Sequence, residues 1–308
     1  MKKKWLMVGS AVGISSVVMV TTGLSAMAST SGYDAYKSAF KNTKTVQNVS
    51  VQAEAVVQDN GSTLTDANGS FKVSLQNRTA SGTVKVSGSG AEQSLDVFKQ
   101  AGQTVLKPGQ GDVYYVKQER DKKDANKLKK EQKNEQDFSP QIETVVDALV
   151  GNLKDYVTVD SKADGSKQVS VELTNSQIPA VVNAIAPIAI KEATSGHKHL
   201  SENKTDPKAP QRLGFDEHNF LASAPKLTQD IKIEKVAVKA DINASNYIDH
   251  QQADITVSGK DDTGAAHTLT LHLNADLTGF NSTTPDTVDL TGKQVQQLKQ
   301  GRQERESK

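Results

Sequence analysis

Apolar and polar residues alternate along most of this chain, and that period of two limits the fold more than any other feature. Valine and alanine fill every second position over 49–57, and leucine and alanine do so over 269–277. A strand with this pattern buries one face and leaves the other in water, as antiparallel sheets do. Turn signals such as Asn60-Gly61 separate the shorter runs up to residue 115. We therefore predict an antiparallel meander of about six strands there and long strands after residue 230.

The alternation changes phase between Ile233 and Val236. Before this point the apolar residues have odd numbers, and after it Val236, Val238 and Ala240 have even numbers. An extra residue in one strand of a pair produces such a shift and bends the strand. The sequence therefore predicts a β-bulge that curls the sheet.

Three segments carry a helical period instead. The first runs over 33–45 after Ser31, and the second, over 139–153, begins at Ser139-Pro140, a favoured helix start. The third begins at Thr174 or Ser176 and is apolar almost all round, with a kink at Pro187. Because the strands need a cover for their apolar face, we predict an α+β fold: a strongly curved antiparallel β-sheet, a half-barrel, wrapped around about three helices.

The first 28 residues resemble a secretory signal peptide. Lys2, Lys3 and Lys4 precede an apolar stretch that is diluted by glycine and serine, and Ala26-Met27-Ala28 offers the small-residue cleavage pattern. The alternative is an uncleaved membrane anchor, since the stretch approaches the roughly 20 residues that span a bilayer. We expect cleavage after Ala28, no membrane span in the mature chain, and a secreted or cell-wall-associated protein.

Composition shifts divide the mature chain. We expect one domain over 29–290, with a charged linker at 117–137, a long polar loop at 196–226 and a polar, frayed tail at 291–308. The alternative is two domains that meet at the charged linker. Helices shared between both sets of strands favour a single domain.

Several classes of function are disfavoured by composition. The chain has no cysteine, which excludes a lipid anchor, thiol catalysis and cysteine metal sites. Three of its 37 basic residues lie in the first four positions, which leaves 34 against 36 acidic residues. A mature chain with no excess of basic residues is not expected to form the basic surface that nucleic acid requires.

Candidate metal sites and catalytic motifs are weak. His197, His199 and His218 lie in the long polar loop, but their spacing matches no zinc or copper motif. The segment 241–252 has calcium-loop oxygens at Asp241 but lacks the required glycine and the final glutamate. No G-x-S-x-G elbow presents a nucleophile. We therefore expect no enzymatic activity, no cofactor and no metal.

A resemblance adds to this interpretation. A helix followed by a meander and further helices resembles the LolA-like lipoprotein carriers and the mycobacterial LppX-like lipoproteins. The segments VSVELTNSQIPAVVNAIAPIA (169–189) and ITVSGKDDTGAAHTLTLHLNADL (255–277) are also similar to secreted proteins of Gram-positive bacteria with that half-barrel. The resemblance implies a diffuse apolar cavity on the concave face.

The concave face is thus the predicted ligand site. We expect an apolar ligand or lipid there, with the loop 196–226 as a gate. The alternative is a dry core, in a protein that instead engages another envelope protein. The residues predicted to line the site are Tyr33, Tyr36, Phe40, Val182, Ile185 and Ile188.

Overall fold

The computed structural model describes residues 31–88, 91–100, 102–118, 156–178 and 223–298. Within these ranges the chain forms one α-helix, a short 3-10 helix and twelve strands. All twelve strands belong to one sheet.

The α-helix, α1, spans Ser31–Thr43, and the 3-10 helix spans Asn175–Gln177. The first six strands are β1 (Asn48–Asp59), β2 (Ser62–Ser74), β3 (Thr79–Gly88), β4 (Ala91–Gln100), β5 (Gln103–Pro108) and β6 (Val113–Gln118). The last six are β7 (Val157–Ser161), β8 (Lys167–Thr174), β9 (Gln229–Ile242), β10 (Ile248–Lys260), β11 (Ala266–Thr278) and β12 (Gln294–Gln297).

The sheet is open and curved, with the strand order β12-β6-β5-β4-β3-β2-β1-β11-β10-β9-β8-β7. Neighbouring strands are antiparallel except for β12, which pairs with β6 in parallel. The ladder between β1 and β11 joins the two halves, with Ser50 opposite Thr278 at one end and Asp59 opposite Leu269 at the other.

The two faces of the sheet differ because side chains alternate along each strand and cross-strand partners share a face. We call the face of Val51, Ala53, Ala55 and Val57 the front face, and the opposite one the back face. On the front face, Ala53 lies opposite Ala275 of β11 and opposite Gly69 of β2. The front face is apolar and the back face is polar, as the alternation predicts.

Helix α1 packs on the front face at the β7–β10 end of the sheet. Ala39 is fully buried and Tyr36 is 5% exposed, in a cluster with Val169, Ala240 and Ile242. Asn42 also donates its amide to the backbone oxygen of Asn246 in the β9–β10 turn, at 3.1 Å. The helix is therefore fixed by apolar burial and by polar contacts at its C-terminal end.

Residues 279–293, which we call the C-terminal strap, cross from the end of β11 towards β6. Thr283 Oγ1 lies 3.0 Å from Ser50 Oγ on β1, and Asp286 accepts from Lys72 on β2 at 3.0 Å. On β4, the Gln100 side chain bonds both the backbone N–H and the backbone oxygen of Val288. The strap thus ties β1, β2 and β4 together before β12 pairs with β6.

The structure confirms the predicted six-strand meander, β1–β6, and the long strands β9–β11. The predicted bulge is confirmed too, since the β9–β10 register shifts where Lys235 gives way to Ile233. Asn60 and Gly61 both have positive φ, 50° and 81°, as a tight hairpin turn requires.

Asn68-Gly69 is a dipeptide that favours a turn in a sequence, but it forms no turn in this structure. Both residues lie inside β2, where Asn68 pairs with Glu54 on one side and with Lys85 on the other. Ladders on both sides satisfy the backbone groups of this dipeptide, and this pairing overrides its local turn preference.

Of the three predicted helices, only the first lies wholly among the described residues, as α1, while the start of the third is described as the 3-10 helix Asn175–Gln177. The segments 139–153 and 179–189 lie outside them, as do the signal peptide at 1–28, most of the charged linker and most of the loop 196–226. The tail predicted from residue 291 needs a correction, since Gln294–Gln297 forms β12. The backbone of β6 offers an edge to which even a glutamine-rich segment can pair.

Thr43, the last residue of α1, provides a test of how this helix is held. Its buried hydroxyl accepts the backbone N–H of Ile248 at 2.9 Å and donates to the Ala39 oxygen at 2.8 Å. We expect Thr43→Val to lower the free energy of unfolding by about 1–3 kcal/mol, because it leaves a buried N–H without its partner. Urea denaturation measures this change.

Thr45→Val is the matched control. Thr45 is exposed, although its hydroxyl also bonds a backbone oxygen, that of Asn42. Its loss should change the free energy of unfolding by less than about 0.5 kcal/mol. Equal effects of the two substitutions would contradict a special role for Thr43.

Candidate binding surfaces on the two faces of the sheet

Small side chains occupy the middle of the front face. Ala53, Ala55, Ala67 and Gly69 adjoin one another on β1 and β2, and we call these four residues the alanine–glycine stripe. Ala53, Ala67 and Gly69 are partly exposed, whereas Ala55 is buried. The stripe therefore forms a shallow apolar trough in the sheet surface.

The next front-face residue along β2, Phe71, leans away from the stripe. Its ring lies over Gly82 of β3, where a Cβ atom would come within 2.3 Å of Phe71 Cδ1. Glycine at position 82 thus makes room for the ring. Because the ring turns towards β3, it does not cover the stripe between β1 and β2.

The predicted site residues of α1 lie apart from this stripe. Tyr33 is 1% exposed, and the Tyr36 and Phe40 rings stack with centroids 6.1 Å apart. The space left between Tyr33, Tyr36 and the strands β7–β9 is about 20 Å³, enough for about one water molecule. These aromatic residues are packed core of the described structure. Val182, Ile185 and Ile188 lie outside the described residues.

The back face carries two cross-strand histidine–aspartate pairs. His250 Nδ1 donates to Asp276 at 2.7 Å, and His272 Nδ1 donates to Asp254 at 2.6 Å. Both pairs join β10 to β11, in register positions directly opposite each other. Sequence reasoning missed them because the partners become neighbours only once the register of the two strands is known.

A groove of about 310 Å³ lies beside the second pair, on the back face of β10, β11 and β1. Six of its eight lining residues have polar side chains, and we call it the polar groove. Asp254 also accepts a hydrogen bond from Gln252 at 3.0 Å, so that both of its oxygens have donors. His272 Nε2 points towards Gln58 Oε1, 3.4 Å away. The lining residues are Glu54, Val56, Gln58, Gln252, Asp254, His272, Leu273 and Asn274.

A third histidine lies between two carboxylates at the end of β1. His267 Nδ1 donates to Asp59 at 2.8 Å, and His267 Nε2 faces Asp261 at 3.5 Å. The side chains of His267 and Asp59 are only 16% and 17% exposed. Ionised carboxylates only accept hydrogen bonds, so this geometry favours a proton on both nitrogens of the imidazole.

These contacts shift the pKa values of His267 and Asp261 in opposite directions. The hydrogen bond to Asp59 raises the pKa of His267, with a further contribution from Asp261. The hydroxyl of Thr263 and backbone N–H groups of the β10–β11 turn, together with His267, lower the pKa of Asp261. The cluster of His267, Asp59 and Asp261, which we call the clamp, thus ties the end of β1 to the β10–β11 turn.

This clamp predicts a pH dependence of stability. Below about pH 6.5, the usual pKa of histidine in an unfolded chain, His267 is charged in both states and the clamp contributes fully. As the pH rises through the raised folded-state pKa, the contribution is lost. We therefore expect His267→Gln to flatten the fall in Tm between about pH 6.5 and 9.

The control for this measurement is His250→Gln, which removes a different imidazole–carboxylate pair. Asp276, the partner of His250, is 47% exposed, and such pairs contribute little to stability. This variant should keep the pH dependence of the unmodified protein. A His267→Gln variant with the same pH dependence would refute the clamp.

The segment examined as a calcium loop is a hairpin turn between β9 and β10. Asn243 Oδ1 accepts the backbone N–H groups of Ser245 and Tyr247, both at 3.0 Å. Burial raises the pKa of the Asp249 carboxyl, which disfavours the anion that a cation would need. Among the described residues, no three histidine, aspartate or glutamate side chains are placed to hold a metal ion. His197, His199 and His218 lie outside them.

Comparison with models of known protein families finds no match, and comparison with curated proteins finds none either. Two solved structures are weakly similar to this chain. MucB, solved in complex with MucA(peri), is 11% identical, covers 83% of this chain and 100% of its own, and has a TM-score of 0.20. A thioesterase II candidate from Thermobifida fusca is 12% identical, covers 82% of this chain and 89% of its own, and has a TM-score of 0.09. Likenesses this weak carry no conclusion about activity.

A membrane-spanning helix must be both long and apolar. In the part of the chain that the structure describes, no helix is long and apolar enough to cross a bilayer. The apolar stretch at 5–24, for which we predict a signal peptide, lies outside this part.

Proposed function

We propose that this chain is a non-enzymatic exported protein that binds an apolar ligand, such as a lipid, on the front face of its sheet. The alanine–glycine stripe is the observation that carries the proposal. Its side chains are apolar and small, and three of its four residues are partly exposed. An acyl chain laid along it would bury this surface, at about 25 cal/mol for each Å² of apolar area removed from water.

The position of α1 is consistent with this proposal. The helix packs on β7–β10, so that it lies to one side of the stripe on β1 and β2. In the half-barrel that the sequence resembles, further helices cover the concave face and leave an apolar cavity beneath them. The predicted helix that contains Val182, Ile185 and Ile188 would be the second wall here, and the loop 196–226 would be the gate.

The ligand itself is the first point to test. Native mass spectrometry of the protein purified from its own culture medium, followed by organic extraction, should reveal a bound lipid or other apolar molecule. Protein that is free of ligand, and that takes up no fluorescent fatty acid in titration, would overturn the proposal. In that case a protein partner would be the function to pursue.

Site-directed variants locate the ligand. Ala67→Trp places a large ring in the trough, so it should weaken binding of a fluorescent fatty acid by about tenfold or more. The dissociation constant is measured by fluorescence titration. Thermal unfolding of the variant shows separately whether the fold tolerates the ring.

Ser70→Trp is the matched control on the same strand. Ser70 is exposed and lies on the back face, where it pairs with Gln52 and Thr83. This variant should bind the fatty acid with unchanged affinity. Equal weakening by the two tryptophan variants would show that the ligand does not lie on the stripe.

A further inference from the structure

We propose that the polar groove on the back face binds a cationic nitrogen group, an ammonium or a guanidinium, independently of any ligand on the front face. The groove is built by β10, β11 and β1, and its volume of about 310 Å³ falls at the lower end of small-molecule sites. Such a volume suits a diamine or the side chain of a lysine or arginine.

Two hydrogen-bond acceptors of the groove have no donor in the part of the chain that the structure describes. Glu54 forms no hydrogen bond or ion pair with another described residue. Asn274 Oδ1 is buried and has no hydrogen-bond partner among the described residues. Glu54 and Asn274 are direct cross-strand neighbours, so the two acceptors lie side by side. Glu54 is partly exposed whereas Asn274 Oδ1 is buried, so the Glu54 carboxylate is the acceptor that a ligand donating N–H groups would meet first.

The other wall of the groove is held in place before any ligand arrives. Hydrogen bonds from His272 and Gln252 occupy both oxygens of Asp254, which orients that carboxylate and the imidazole ring. Gln58 extends the row of acceptors along β1, with its Oε1 atom turned towards His272 Nε2. A ligand therefore meets polar side chains that are already oriented, which lowers the entropy cost of binding.

The charges of the lining favour a cation over an anion. The eight lining residues include the carboxylates of Glu54 and Asp254, and they include no lysine or arginine. A metal ion is a poorer fit, since no group of three ligating side chains forms among the described residues. Hydrogen bonds between N–H groups and carboxylates are the stronger, charge-assisted kind, and three donors on one ammonium suit several acceptors.

The test is a titration of the full mature protein with 1,4-diaminobutane, and with 1,4-butanediol as its neutral counterpart of equal length. Backbone NMR shifts of β1, β10 and β11 should respond to the diamine and not to the diol. Glu54→Gln should weaken diamine binding by about tenfold or more, because it removes the unpaired carboxylate while keeping its shape. Equal responses to the diamine and the diol would overturn the proposal.

Glu92→Gln is the matched control, since it changes the net charge equally. Glu92 is exposed on β4 and points to the back face, away from the groove. It should alter diamine affinity by less than about twofold. Equal weakening by the two substitutions would show that the diamine responds to overall charge and would overturn the site.

A second variant keeps the test decisive if Glu54→Gln disturbs the fold. Val56→Lys introduces an ammonium from the groove lining itself and should abolish diamine binding. Retained binding in this variant would also overturn the proposal.

The tripeptide Gly-Lys-Gly distinguishes the two sources of the cation. If it binds more tightly than the diamine, the cation is a side chain of a protein. If it binds more weakly, the cation is a free polyamine.

Discussion

The ladder between β1 and β11 is the interaction on which the rest of the molecule depends. It pairs residues 50–59 with residues 269–278, more than 200 positions apart in the chain. Without it, the meander β1–β6 and the strands β7–β11 would be two separate sheets. Both candidate sites adjoin this ladder, the alanine–glycine stripe on one face and the polar groove on the other.

Strand β1 thereby contributes to both candidate sites, with apolar side chains on one face and polar side chains on the other. Ala53 and Ala55 of β1 lie in the apolar stripe, whereas Glu54 and Gln58 line the groove behind it. The alternation of side chains makes this possible, and it also makes the pairing strict, because a slip of one residue would exchange the two faces. The ten paired positions of β1 and β11 protect against such a slip.

The period-two pattern was sufficient to predict the meander β1–β6, the long strands β9–β11, their polar and apolar faces and the bulge in β9, but not β12. It was not sufficient to predict which residues become neighbours across the strands. The groove depends on Glu54 meeting Asn274, and nothing local to either residue indicates a partner so distant in the chain. Asn68-Gly69 shows the opposite error, in which a strong local turn signal yields to ladders on both sides.

Candidate ligands were equally hard to place from sequence. Aromatic residues spaced along α1 suggested the wall of a cavity, and the same spacing suits a helix that packs into a core. Tyr33 and Tyr36 show which outcome holds at this end of the sheet, since both are buried against the strands. The stripe was not predicted as a binding surface because alanine and glycine carry little hydrophobic signal in a sequence. Their small size nevertheless creates the space along the surface of the sheet.

The C-terminal strap has a consequence for how the protein avoids self-association. The segment Val113–Val116, Val-Tyr-Tyr-Val, is the kind of strongly β-forming stretch that adds to another chain when its edge is free. In the folded sheet β12 covers that edge with glutamines, and Val295 is the one apolar residue it exposes. Since β12 follows all the other described strands in the chain, the edge of β6 stays open during synthesis until β12 has been made. A protein that lacks β12 would keep most of its sheet, but the edge of β6 would be free to pair with another chain.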